Sequence, residues 1–173
     1  MRIREAKESD LPAISAIYTH AVLHGTGTFE EVPPSLDAMV ERWQSGVARG
    51  FVWLVAEDED AATGAERVLG YAYYGPFRDR SAYRFTVEDS VYVHPNAQRM
   101  GVGRALLGAL IEAAAQRGLR QMVALVGDSS NTGSIELHRA LGFADAGRFD
   151  AVGFKFDRWL DVVFLQRVLT PSA

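Results

Sequence analysis

The 173-residue chain contains no cysteine, which excludes disulfide scaffolds, thiolate metal centres and covalent cysteine chemistry together. Its formal net charge of −4 argues against non-specific attraction to nucleic acid or to an anionic membrane, and no segment has the apolar length of a membrane span or a signal-peptide core. With 48% hydrophobic and 23% charged residues, it reads as one soluble domain over residues 1–173, which we expect in the cytoplasm.

In chain order, a short strand opens near Ile3, and Ser9 or Asp10 caps a helix whose Leu11, Ile14, Ile17, Tyr18 and Val22 recur at helical spacing. The stretch GTGTFEEVPP is loop because its glycines and prolines are unsuited to a helix interior, and Ser35 then starts a short helix through Met39, Val40 and Trp43. FVWLVAED has almost no polar interruption, as in a strand covered on both faces. DEDAATGAE is a turn. VLGYAYYGPF is a strand stopping at Gly75–Pro76, and FTVEDSVYVH is another, closed by Pro95. Gly101 to Arg117 forms the clearest helix, with Val102, Ala105, Leu106, Ala109, Leu110 and Ala113 on one face and Gly118 ending it. QMVALVG is a buried strand. A helix started by Ser129 or Asn131 runs through Ile135, Leu137 and Leu141 to Gly142, and two last strands follow, AGRFDAVGFKF broken in its middle and RWLDVVFLQRVL. The order β-α-α-β-β-β-α-β-α-β-β implies an α/β fold around one mixed, mostly antiparallel sheet with helices on both faces.

The stretch HPNAQRMGVGRALL places a glycine-rich turn between a strand and a long helix. Free amides at a helix start carry partial positive charge, and Gly101 and Gly103 let a ligand approach the backbone. Gln98, Arg99 and Arg104 add donors, so the turn reads as an anion site suited to a pyrophosphate, or else as a plain glycine-rich helix start. It departs from a dinucleotide fingerprint, which wants glycine where Leu106 stands, and from a P-loop, which wants Gly-Lys-Ser/Thr. A nucleotide-phosphate binding protein is accordingly a distant reading.

The run Gln98-Arg99-Met100-Gly101-Val102-Gly103 resembles the Q/R-x-x-G-x-G/A signature of the GCN5-related N-acetyltransferase superfamily. DSVYVHP before it and NTGSIELHRALGF after it resemble that superfamily's landmarks in the same order. YYGPFRDRSAYRFTVEDSVYVHPNAQRMGVG, SIELHRALGF and VGFKFDRWLDVVFLQ are similar to the phosphinothricin and methionine sulfoximine/sulfone acetyltransferases. The resemblance implies a single N-acetyltransferase domain with acetyl-coenzyme A as cosubstrate, no metal, and acetylation of the α-amine of a small amino-acid analogue. An acceptor such as a peptide N-terminus, another amine or an aminoglycoside, and a non-catalytic coenzyme A binding module, are the alternatives.

Amine acetylation requires a group that removes the amine proton, stabilisation of charge on the thioester oxygen, and a leaving thiol. Glu88 is a carboxylate within the otherwise apolar strand FTVEDSVYV, and it matches the subgroup's catalytic glutamate in T-x-E-x-x-V-Y-V. Either it is the base, directly or through water, or it faces solvent at a strand edge; Asp89, on the other face, is the control. His138 stands where most superfamily members carry a tyrosine thought to protonate the thiolate, so it either donates or relays that proton or is a structural helix histidine. By the same resemblance Asn131 and Ser134 contact the cofactor near its pantetheine arm, though Asn131 also suits a helix cap. The resemblance also implies that Val91 and Val93 offer backbone groups to the pantetheine and that one backbone amide there stabilises the developing oxyanion. Arg78, Arg80 and Arg84 cluster ahead of Glu88, where an arginine fork pairs with a carboxylate or phosphinate, or is simply a solvated basic loop. An aminoglycoside site would want acidic residues instead. Tyr83 and Phe29 supply an apolar wall. Because family members commonly build the site at a dimer contact, we expect a homodimer, with Phe29 and Glu30 reaching the neighbouring subunit. His20, His24 and His94 have no metal-ligand spacing.

Overall fold

The computed structural model describes residues 1–59 and 66–169. Its strands and α-helices follow the anticipated order: β1 (Arg2–Glu5), α1 (Leu11–His24), α2 (Leu36–Ala48), β2 (Trp53–Glu59), β3 (Glu66–Pro76), β4 (Thr86–Val93), α3 (Val102–Gln116), β5 (Gln121–Gly127), α4 (Thr132–Ala140), β6 (Ala144–Lys155) and β7 (Arg158–Val168). Most of the acidic turn DEDAATGAE, residues 60–65, lies outside the described residues; Asp58 and Glu59 end β2 and Glu66 begins β3.

The seven strands form one sheet in the order β1-β2-β3-β4-β5-β7-β6. Every neighbouring pair is antiparallel except β4–β5. The apolar run Trp53–Ala56 of β2 is explained by two covers. Trp53 and Val55 bury against α1 and α2, while Leu54 and Ala56 bury on the α3 face. Leu106, Leu107 and Leu110 of α3 are fully buried, and each such side chain contributes roughly 1.5–3 kcal/mol of transfer free energy.

Local signals resolve cleanly where a side chain can cap. Ser35 accepts from the Ala38 amide at 3.2 Å, and Asn131, not Ser129, caps α4 by accepting from Ser134 N at 3.4 Å. Asp10 sits at the start of α1 but makes no cap bond to it; its carboxylate accepts from the Lys7 amide and from Arg4 instead. The break anticipated in β6 is a register shift between Phe149 and Gly153, with Ala151 at φ 53°.

Candidate functional site

β4 and β5 are held together only over their first residues. Thr86, Val87 and Glu88 are in register with Gln121, Met122 and Val123, after which the strands part while β4 continues to Val93 and β5 to Gly127. The gap opens into a cleft of about 560 Å³, bounded by the β4 edge, residues 124–126 of β5, the glycine turn and one face of α4. Val91, Val93, Gln98, Arg99, Gly101, Gly103, Arg104, Asn131 and Ser134 all line it, as does His138. The structure thus brings together every residue that the sequence assigned to the cofactor. A second cleft of similar size lies under α2, against Trp53 and Tyr73, away from the glycine turn.

The turn is shaped by backbone conformation more than by side chains. Arg99 and Gly101 have φ of 60° and 81°, and they flank Met100. The first residue of the pair occupies a left-handed conformation uncommon for a residue with a Cβ, while glycine adopts it freely. Gly101 is the N-cap of α3 and has no side chain to satisfy the helix's first amides; those amides are left to an anion in the cleft. Gly103 has a packing duty as well, since a Cβ there would lie 3.2 Å from Leu137 and 3.6 Å from Val93. The donor-rich turn, the room beside it and the β4 edge left without a β5 partner fit an extended phosphate-bearing ligand such as acetyl-coenzyme A.

Strand alternation divides β4 between two chemistries. Glu88, Ser90 and Tyr92 face α1 and α2, where Tyr92 meets Tyr18 edge to face at 5.1 Å. The Glu88 side chain is 34% exposed and its Oε2 lies 3.9 Å from Arg78 Nη1. Burial pushes the carboxyl above its ordinary value, Arg78 opposes that shift, and Asp89 adds to it. Ser90 and Tyr92, together with Ala21 and Gly27, also line the cleft, so it passes through the gap to the Glu88 side of the sheet.

Asp89 points the other way and is no inert control: the residue is 7% exposed because α4 covers that face. His138 Nε2 lies 3.0 Å from Asp89 Oδ2, and its Nδ1 lies 2.7 Å from the Ser134 carbonyl. The Phe143 ring stands edge-on to the imidazole at 5.0 Å. Burial pulls the imidazole down, but the hydrogen bond and charge of Asp89 and the Ser134 carbonyl outweigh it, leaving His138 above its ordinary value. Sequence reading found the histidine and missed its partner, because nothing local marks a residue 49 positions away as a contact.

Of the three arginines, only Arg78 is brought to Glu88. Arg84 donates to the Ser81 carbonyl and lies over the Phe85 ring, and Arg80 is exposed at the head of the short turn 81–83. Tyr83 stands edge-on to Phe77 at 5.7 Å. Phe29 stays exposed, but its ring lies where Gly153 and Gly127 would otherwise carry a Cβ. Glu30 pairs with Arg42 of its own chain at 2.9 Å. Unanticipated is Lys155, buried in β6, whose Nζ donates to the carbonyls of Gly25 and Thr28 at 2.9 and 2.8 Å and so ties the α1–α2 loop to the β6–β7 hairpin. Tyr18 joins the same loop through Thr28 at 3.0 Å.

Comparison with known proteins agrees with this geometry. The profile of the Acetyltransferase (GNAT) family matches residues 14–143. A phosphinothricin N-acetyltransferase of Alcaligenes faecalis is 50% identical over 98% of this chain and 83% of its own length. An L-methionine sulfoximine/L-methionine sulfone acetyltransferase of Pseudomonas paraeruginosa is 46% identical over 98% of this chain and 95% of its own length. The crystal structure of a GNAT superfamily phosphinothricin acetyltransferase from Sinorhizobium meliloti in complex with AcCoA superposes with a TM-score of 0.91 at 46% identity, covering 98% of this chain and 88% of that one. The profile match, the near-full-length relatives and the shared architecture establish that this chain belongs to the acetyltransferase (GNAT) family.

Proposed function

We propose that the protein transfers an acetyl group from acetyl-coenzyme A to the α-amine of a small amino-acid analogue of the phosphinothricin, methionine sulfoximine or methionine sulfone kind. The observation that carries this reading is the two-sided cleft: anion donors and an open strand edge on one side of the sheet, and a half-buried carboxylate with a nearby arginine on the other. Acetyl-coenzyme A supplies an activated acetyl group as a thioester. The chain's own residues do the rest.

The free amides at the start of α3, with Gln98, Arg99 and Arg104, hold the pyrophosphate. The β4 edge from Asp89 to Val93 offers amides and carbonyls to the pantetheine arm, and one of those amides points charge-stabilising polarity at the thioester oxygen. Asn131 and Ser134 bound the arm from α4. On the acceptor side Glu88 takes the ammonium proton, directly or through one water. Its desolvation raises its affinity for that proton, which brings it closer to the amine it must deprotonate. Arg78 and Arg80, with Arg84 at the rim, attract the acceptor's carboxylate or phosphinate, and Phe29 and Tyr83 provide apolar wall. His138 is the group that holds a proton on the cofactor side.

We further assign the protein to the cytoplasm as a homodimer. The second copy covers the β6–β7 hairpin, where Phe149, Val152, Phe154 and Trp159 are all exposed; an apolar patch of this kind marks an interaction surface. Sedimentation at micromolar concentration tests the dimer, and a monomer there overturns it.

The functional test is thiol release from acetyl-coenzyme A with L-phosphinothricin, methionine sulfoximine and methionine sulfone offered separately. Turnover on at least one is expected. Silence on all three by a protein that still binds acetyl-coenzyme A overturns the acceptor assignment.

A further inference from the structure

His138 and Asp89 meet where β4 leaves β5, and each lines the cleft. The contact joins two elements that share no strand pairing: β4, which supplies the open edge, and α4, which supplies Asn131 and Ser134. Both ring nitrogens are engaged. A carbonyl oxygen only accepts, so Nδ1, 2.7 Å from Ser134 O, carries a hydrogen. The Nε2–Oδ2 contact at 3.0 Å is then a hydrogen bond only while a proton lies between those two atoms. Without it, two lone pairs face each other in a buried site. Asp89 Oδ1 is buried too and has no hydrogen-bond partner among the described residues, so the bond to His138 is the polar tie between Asp89 and α4 there.

We propose that Asp89 is a positioning residue for the acetyl-donor cleft: its proton-dependent bond to His138, in the last turn of α4, fixes that helix against the β4 edge. The proposal rests on the cleft being the coenzyme A site. It assigns to Asp89 no contact with the reacting atoms, and it makes positioning the first duty of His138, since neither nitrogen is free to face a ligand while both bonds hold.

Proton dependence gives the proposal a sign. No other ionisable group is bonded to the ring among the described residues: α4 offers the Ser134 carbonyl, Phe143 offers an aromatic edge, β4 offers Asp89, and β4's other carboxylate, Glu88, lies on the opposite face. Arg104 lines the same cleft from α3. His138 is held above its ordinary value. The bond is therefore complete below the free-imidazole value of about 6.5 and is lost as pH rises through the higher folded value.

The test measures the dissociation constant of acetyl-coenzyme A by calorimetry from pH 6 to pH 9.5 for the wild type, Asp89→Ala and Asp89→Asn. Alanine cannot make the bond, whereas asparagine donates its amide N–H to a neutral Nε2 and, with the amide turned, accepts from a protonated one. At pH 6 Asp89→Ala is expected to bind about tenfold more weakly than wild type, in line with a lost bond to a charged group, and the two should converge at high pH. Asp89→Asn should match the wild type at pH 6 and outbind it at pH 9.5. The His138 ring proton resonance should titrate in the wild type at higher pH than in Asp89→Asn. A constant ratio of Asp89→Ala to wild-type affinity across pH overturns the proposal, as does an Asp89→Asn protein that follows the wild-type curve. Absence of acetyl-coenzyme A binding by the wild type at any pH overturns instead the reading of the cleft itself.

Discussion

Adjacent residues of β4 make opposite bargains with water. Glu88 lies half-exposed on the α1–α2 face beside one loosely held arginine, and desolvation raises its proton affinity. Asp89, one residue on, is sealed beneath α4 with an imidazole at 3.0 Å. Two carboxylates that look equivalent in the sequence thus meet different surroundings: Glu88 keeps access to solvent beside an arginine at 3.9 Å, while Asp89 is taken up by a buried imidazole. A base must be reachable and incompletely paired; a brace must be neither.

The largest expected effect separates the two faces. Glu88→Gln should lower turnover by roughly 10²–10⁴ while leaving acetyl-coenzyme A affinity near wild type, as read by thiol release and calorimetry side by side. Near-normal turnover across pH 6–9 removes Glu88 as the base. Stability should rank the faces in reverse. Asp89→Ala breaks a buried pair and should cost about 3 kcal/mol in urea unfolding at pH 6, whereas Glu88→Gln removes a carboxylate that burial disfavours and should cost nothing. Equal losses would mean that Glu88 is a structural partner after all.

A smaller effect isolates the cofactor turn. Gly101→Ala places a Cβ at φ 81°, a left-handed position disfavoured by about 1–2 kcal/mol. Acetyl-coenzyme A should bind roughly tenfold more weakly, with the acceptor constant unchanged. A change in acceptor affinity alone would contradict the division of the cleft. The smallest effect concerns Arg78, half-exposed at 3.9 Å from Glu88, where a surface pair contributes about 0–1 kcal/mol. Because Arg78 holds the raised Glu88 carboxyl down, Arg78→Ala should move the acid limb of kcat/KM to still higher pH. That limb should already lie above the ordinary glutamate value of about 4.3. A limb moving to lower pH would reverse the assigned electrostatics.

Much of the site was legible because its parts are local. The glycine turn announces itself in ten residues, and the Glu88–Asp89 pair stands out as charge in a largely apolar strand. The helix that follows narrows the cap of α4 to Ser129 or Asn131. The acceptor side was less legible. The packing of Phe29 had no local signal: its ring fills space left by Gly127 and Gly153, residues about 100 and 120 positions downstream. Three arginines within seven residues looked like one clamp, but the turn at 81–83 sends Arg84 back onto Ser81 and Phe85 while only Arg78 reaches Glu88. Lys155 gave no signal, since a buried lysine in an edge hairpin differs in no local way from an exposed one.

By itself the sequence determined the order of elements, the Ser35 cap of α2, the glycine turn and the candidate base. Each depends on periodicity, backbone preference or charge within a few neighbouring positions. Tertiary structure alone decided that β4 and β5 part after Glu88, that the resulting cleft opens through the sheet, and that Asp89 closes onto His138. Those outcomes are set by strand register and by which helix covers which face, and such contacts link residues whose separation along the chain carries no local pattern.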